Sequence, residues 1–176
     1  RNSATQITIA SSGGGGGATD INGLSDAYKA SSRMALGIAA VGSNASTNTI
    51  ILATTSTSGQ NLGAANANIV VGNAAFSYTT TGSQNIAIGS NALFGNSGVA
   101  HTGNSNVGVG LGTLYNIQGA ASSNVAIGDN AMGNSSSTTS GSENVVIGAF
   151  AGSRIGTGSY NTAVGHSAGN STSLAN

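Results

Sequence analysis

A short motif recurs through most of the chain and constrains its fold more than any other feature. In its clearest form it reads Asn85-Ile86-Ala87-Ile88-Gly89: an asparagine, an aliphatic residue, a small residue, a second aliphatic residue and a glycine. Copies begin at residues 33, 48, 68, 85, 106, 124, 144 and 161, so the intervals are 15, 20, 17, 21, 18, 20 and 17 residues. Repeats of this length predict a solenoid, in which each repeat packs mainly on its neighbours.

The motif alternates large and small side chains with a period of two, which is typical of a β-strand. The glycine that follows suits a corner with positive φ, where a Cβ would clash. The asparagine at the start, which we call the anchor, either bonds its own backbone in a turn or stacks into a ladder with the next repeat. The predicted anchors are Asn68, Asn85, Asn106, Asn124, Asn144 and Asn161, and the predicted corners are Gly72, Gly89, Gly110, Gly128, Gly148 and Gly165.

The small residue in the middle of each strand gives a prediction about assembly. Ala87, Gly108 and Ala126 alternate with aliphatic residues that we expect to fill the interior of the repeat. Small residues allow backbones to approach closely without voids. We therefore expect the middle positions to face partner chains around a shared axis. The predicted fold is an all-β repeat β-solenoid, similar to a parallel β-roll, in an intertwined or side-by-side homotrimer.

The sequence predicts three segments. Residues 1–17 hold an alternating strand pattern around Ile7 and Ile9, followed by a flexible tether of five glycines. That strand either packs on the first repeat of its own chain or pairs with the sheet edge of another subunit. Residues 18–33 are predicted to form a short turn or helix, and residues 34–176 form the solenoid.

Composition excludes several classes of partner. Charged residues make up 5% of the chain and the formal net charge is zero, so no electrostatic surface for nucleic acid is expected. No apolar run is long enough to insert into a membrane. Cysteine is absent, which removes disulfides and thiolate metal sites.

No constellation in the sequence indicates catalysis, a metal or a cofactor. His101 and His166 are the only histidines, and nucleophilic or metal chemistry would need partners for them. Asp129 and Glu143 lie in adjacent repeats but at different positions of the motif, so we interpret them as solvated acids and not as a glycosidase pair. Aromatic residues beside the repeats offer rings on which sugars can stack, although packing or exposure to solvent is the favoured explanation: Tyr78, Phe94, Tyr115 and Tyr160.

The repeats, together with Leu24-Ser25-Asp26-Ala27, resemble those of bacteriophage tail fibres and related trimeric surface fibres. They are also similar to the head repeats of trimeric autotransporter adhesins. The resemblance covers roughly residues 20 to 169. It implies a left-handed parallel β-roll with three chains around one axis, located outside the cell or on a virion surface.

Three functions follow as hypotheses. The first is a structural and adhesive module of an extracellular fibre, a shaft or head that contacts a host surface glycan or protein receptor. The second is a filament subunit in which Ile7 and Ile9 donate a strand to the next copy. The third is an ice-binding or carbohydrate-binding solenoid, suggested by faces rich in serine and threonine.

Overall fold

The structure is a computed structural model that describes residues 27–28, 34–36, 49–52, 66–96, 98–133 and 138–170. In these residues the chain forms short strands separated by turns. The strands are β1 Ala27–Tyr28, β2 Met34–Leu36, β3 Ile50–Leu52, β4 Ile69–Val71, β5 Ile86–Ile88, β6 Val107–Val109, β7 Val125–Ile127, β8 Val145–Ile147 and β9 Thr162–Val164.

Each strand pairs with the next strand along the chain, which makes the architecture a β-solenoid. From β2 to β9 there are seven consecutive parallel pairings, and β1 pairs with β2 in the antiparallel direction. Equivalent positions of the motif lie side by side, so that Ile86 is paired with Ile69 on one side and with Val107 on the other. Between the anchors Asn68 and Asn161 the solenoid completes about five turns. The prediction of an all-β repeat solenoid is therefore confirmed.

A second, shorter series of parallel bridges closes the opposite side of the turns. Thr79 pairs with His101, His101 with Gly119, and Ile117 with Thr139. The longer repeat between β5 and β6 accommodates its extra residues in a local antiparallel bridge between Asn96 and Val99. No helix in the described ranges is long and apolar enough to cross a membrane.

In strands β4 to β7 the middle residue points into the turn, where a large residue eight positions after the anchor is also buried. Ala87 and Ala126 are buried, as are Leu93 and Met132 in the same turns. Gly108 shows why the position must be small: a Cβ there would lie 2.3 Å from Cδ1 of Leu93 and 2.9 Å from Oγ1 of Thr113. The residues eight positions after the anchors form a buried column: Phe76, Leu93, Leu114 and Met132.

The expectation that the small positions face a partner chain is wrong. The opposing wall of the same turn already occupies the space beside them. In strand β8 the middle residue is large and the opposing position is a glycine: Val146 faces Gly152, whose Cβ would lie 2.9 Å from Cγ1 of Val146. In the turn of β4, Val70 and Phe76 are both large and both fully buried. Close packing inside the solenoid, and not a partner chain, explains the small residues at the other middle positions.

Several predictions concern residues that the structure does not describe. The strand around Ile7 and Ile9 and the glycine tether lie outside the described residues. Within segment 18–33, Ala27–Tyr28 is described and forms strand β1. The proposed short helix at other positions of that segment also lies outside the described residues.

Candidate functional site

The anchor asparagines form a continuous ladder through the described turns. The Oδ1 atom of Asn85 accepts hydrogen bonds from the backbone N–H and the side-chain Nδ2 of Asn106, at 2.9 and 3.0 Å. Asn106 accepts the equivalent pair from Asn124, and Asn124 accepts it from Asn144. The structure thus has the predicted ladder, and at Asn85 and Asn161 the side chain also donates to the backbone carbonyl two residues earlier.

The side chain of each anchor in the middle of the ladder also donates a hydrogen bond to the backbone carbonyl three residues before the next anchor. The Nδ2 atom of Asn124 donates to the carbonyl oxygen of Gly141 at 2.9 Å, and Nδ2 of Asn144 donates to that of Gly158 at 2.9 Å. These asparagines are fully buried. A buried amide requires its partners, since each unsatisfied polar group costs about 1–3 kcal/mol. The ladder therefore fixes the register between turns.

A second polar ladder lies two residues before the anchors. The backbone N–H of Asn104 donates to Oγ of Ser122 at 3.0 Å, that of Ser122 to Oγ of Ser142, and that of Ser142 to Oγ of Ser159. The sequence analysis missed this ladder, although the signal is present as a serine or asparagine at that position in each copy: Asn66, Ser83, Asn104, Ser122, Ser142 and Ser159.

The predicted glycine corners follow the strands and have φ between 120° and 134°. At most of them a side chain has no room. A Cβ on Gly89 would lie 2.3 Å from the carbonyl oxygen of Gly110, and one on Gly128 would lie 2.7 Å from the carbonyl carbon of Gly148. The corners stack directly on one another, and this close stacking allows the strands to remain in register.

Because the middle residues of strands β3 to β9 point inward, the first and third residues of these strands point outward. They form a surface that we call the aliphatic strip: Ile50, Leu52, Ile69, Val71, Ile86, Ile88, Val107, Val109, Val125, Ile127, Val145, Ile147, Thr162 and Val164. All are half-buried or exposed; Ile88 is 37% exposed and Val164 is 65% exposed. The strip contains no charged residue.

The size of the aliphatic strip follows from strand geometry. Neighbouring strands lie about 4.8 Å apart, so the seven strands from β3 to β9 span roughly 30 Å, with the two outward columns roughly 7 Å apart. Monomeric proteins rarely expose contiguous apolar patches larger than a few hundred Å², and such larger patches mark interaction sites. Of the thirteen exposed large hydrophobic residues in the described ranges, eight belong to the strip.

The titratable residues singled out from the sequence differ in their burial. His101 is fully buried, with its Nε2 atom 3.2 Å from the carbonyl oxygen of Ala121 and its Nδ1 atom without a hydrogen-bond partner. Burial lowers the pKa of His101 to about 4, against a smaller opposing effect of the hydrogen bond. His166, Asp129 and Glu143 are exposed. Among the described residues, no three histidine, aspartate, glutamate or cysteine side chains form a metal-binding group.

Three aromatic residues form a cluster on one side of the turns. The Phe94 and Tyr115 rings stack in parallel, with centroids 5.0 Å apart, and Tyr78 meets Phe94 edge-on at 5.4 Å. Tyr160 lies elsewhere and is 72% exposed. The structure thus brings three of the four aromatic candidates together.

Comparisons with known proteins identify no relative, since no family model, curated protein or solved structure matches this chain.

Proposed function

We propose that the chain is a structural and adhesive module of an extracellular fibre, and that copies of it assemble through the aliphatic strip. The observation that supports this most strongly is the exposure of the strip. Parallel sheets in proteins are normally covered on both faces. In this solenoid the inner face is covered by the opposite wall of each turn, and the outer face requires a partner.

The repeat of the strip favours a second copy of the same chain as that partner. Aliphatic side chains recur along both columns at the strand spacing of about 4.8 Å. A surface with the same spacing matches the strip over its whole length, and another copy in parallel alignment provides one. The formal net charge of zero also means that copies do not repel one another.

The width of the strip favours a threefold arrangement. Two columns of side chains allow each copy to place one column against each of two neighbours around an axis. Such an arrangement buries the strip completely, while the serine and asparagine ladders remain within each chain. The asparagine ladder and the stacked corners make each chain a stiff rod, which suits a shaft or head that carries a binding surface outward.

The fibre is proposed to lie outside the cell or on a virion surface, where it contacts a host surface glycan or protein receptor. The almost uncharged turns support this role, because a surface of serine, threonine and asparagine stays hydrated without attracting nucleic acid or anionic membranes.

Sedimentation velocity over a range of concentrations tests the assembly. The parent chain should sediment as a trimer, and Ile127→Glu should reduce the association, because the substitution places a carboxylate in the buried strip of every copy. Ser123→Glu is the matched control. Glu143 is the residue equivalent to Ser123 one turn later and to Ser105 two turns later, and the three have similar positive φ. A glutamate therefore fits at position 123.

A parent chain that is monomeric at every concentration would overturn the proposal. An open polymer that grows with concentration would instead support the filament hypothesis, in which Ile7 and Ile9 belong to a donated strand. Circular dichroism of each variant shows whether the turns themselves have remained folded.

A further inference from the structure

An open groove of about 560 Å³ crosses the turns away from the aliphatic strip. One wall is the column of residues six positions after the anchors, which includes Asn91, Asn130 and Phe150. The other wall is the column nine positions after the anchors, beginning with Tyr115. The volume lies within the range of about 300–1,000 Å³ that is usual for ligand sites.

The groove exists because the aromatic column is interrupted. Phe94 and Tyr115 stack in consecutive turns, but the next residue in that column is Gly133. A side chain cannot replace it, since a Cβ on Gly133 would lie 2.1 Å from the carbonyl oxygen of Gly112. The backbone of Gly112 and Gly133 therefore forms the floor. Phe94 covers one face of the Tyr115 ring, which leaves the opposite face for a ligand.

The groove contains one cation and no carboxylate among its lining residues. Arg154 is exposed at one end, and within the described part of the chain its guanidinium has no hydrogen bond or ion pair. The nearest acid in sequence to the lining is Asp129, whose Oδ1 accepts a hydrogen bond from Nδ2 of Asn130 at 2.6 Å. Arginine binds carboxylates through two parallel hydrogen bonds.

We infer that this groove binds a saccharide that carries a carboxylate. Tyr115 and Phe150 offer aromatic faces, whose negative potential attracts the C–H groups of a pyranose ring. Amides such as that of Asn91, which makes no side-chain hydrogen bond within the described residues, can donate to one sugar hydroxyl and accept from another. Arg154 provides the bidentate partner for the carboxylate.

The inferred role of the groove rests on the adhesive function proposed above, and the position of the groove agrees with that function. Its two walls lie three and six residues after the last strip residue of each turn, with the glycine corner between strip and groove, so we expect self-association through the strip to leave the groove accessible. Its walls extend over more than one turn, and turns are about 4.8 Å apart. That length accommodates more than a single pyranose ring.

Saturation-transfer NMR and calorimetry with matched pairs of saccharides test the inference. The probes are cellobiouronic acid and sialyllactose, each beside its neutral counterpart, cellobiose or lactose. At least one carboxylated saccharide should bind about tenfold or more tightly than its counterpart, which corresponds to one charge-assisted hydrogen bond. Arg154→Gln should remove that difference, and Tyr115→Leu should weaken binding of the carboxylated probe.

Arg1→Gln removes the same charge elsewhere in the chain, and Tyr160→Leu removes an exposed ring outside the groove, so both should bind like the parent. The inference is wrong if neither carboxylated saccharide binds, if neutral and carboxylated probes bind equally, or if Arg154→Gln leaves the preference intact. Equal competition by triglutamate would identify an acidic peptide site instead. Sedimentation of the same samples separates the two proposals, because a trimer that binds no saccharide overturns only this one.

Discussion

Glycine can be required for two reasons, a positive φ or a lack of room for a Cβ atom, and substitutions at three glycines separate these reasons. At Gly89 both reasons apply: φ is +130°, and a Cβ would lie 2.3 Å from the carbonyl oxygen of Gly110. At Gly165 φ is +120°, but no described atom lies within 4 Å of the Cβ position. At Gly119 φ is +58°, in the left-handed region that other residues also adopt, and again no described atom is near.

The expected costs follow from these geometries. Gly89→Ala combines backbone strain of about 1–3 kcal/mol with overpacking of about 1–3 kcal/mol, so it should lower stability by about 2–6 kcal/mol. Gly165→Ala should cost the strain alone, about 1–3 kcal/mol. Gly119→Ala should cost about 1 kcal/mol or less, because its left-handed penalty is partly offset by the reduced freedom of the unfolded chain.

Thermal unfolding followed by circular dichroism measures the series. For a chain of this length each kcal/mol lowers the melting temperature by about 2–4 °C, so Gly89→Ala should melt roughly 5–20 °C below the parent. Gly165→Ala should fall between that variant and Gly119→Ala. A Gly89→Ala protein that melts with the parent, or no earlier than Gly119→Ala, would refute the stacked-corner reasoning.

Three further predictions concern buried groups. The free energy of unfolding should fall by up to about 3 kcal/mol as the pH decreases from about 6.5 to about 4. In this range the histidine of the unfolded chain binds a proton, whereas the buried His101 of the folded chain does not until the pH reaches its lowered pKa. Urea titrations should show this pH dependence in His166→Gln and lose it in His101→Gln. Asn124→Ala should cost about 2–4 kcal/mol in the same urea titration, since it leaves the carbonyl of Gly141 and the N–H of Asn144 without partners, whereas Asn161→Ala, at the half-buried end of the ladder, should cost less. Ala126→Gln should lower the melting temperature even where the chain is kept dilute, because the side chain is forced into the interior of its turn; an unchanged melting temperature would place residue 126 on the outside.

Much of the fold could be predicted from the sequence because it depends on features local to each repeat. The alternation around Ala87 located a strand, and the glycine after it located a corner, without reference to any other repeat. Parallel pairing then followed from the similarity of the repeats. In the folded chain, equivalent residues of successive repeats lie side by side, so a feature seen in one repeat describes its neighbours as well.

The direction of the side chains could not be predicted in the same way. Both faces of each strand are apolar, so the alternation alone does not tell which one is inside. The deciding information is the close contact of the middle residue with the opposite wall of the solenoid, seen at Gly108 with Leu93 and at Val146 with Gly152. Predicting that contact requires knowledge of how the turn closes.

The groove was also beyond sequence reasoning, since it depends on side chains from successive turns. Tyr115 and Arg154 are 39 positions apart in the sequence, and neither belongs to the motif. Tyr115 was a candidate for sugar stacking, but its place beside a glycine gap and a cation emerges only when the repeats are stacked.

Cross-linking between copies tests most directly the claim that the aliphatic strip is the interface. The chain contains no cysteine, so single-cysteine variants report on one position each. Ile88→Cys places a thiol in the strip, and Ser123→Cys places one on an exposed position beside it. After treatment with a short bis-maleimide, Ile88→Cys should give covalent dimers on a denaturing gel, and Ser123→Cys should remain monomeric. Dimers from Ser123→Cys and none from Ile88→Cys, in samples that sediment as the same oligomer, would contradict the account.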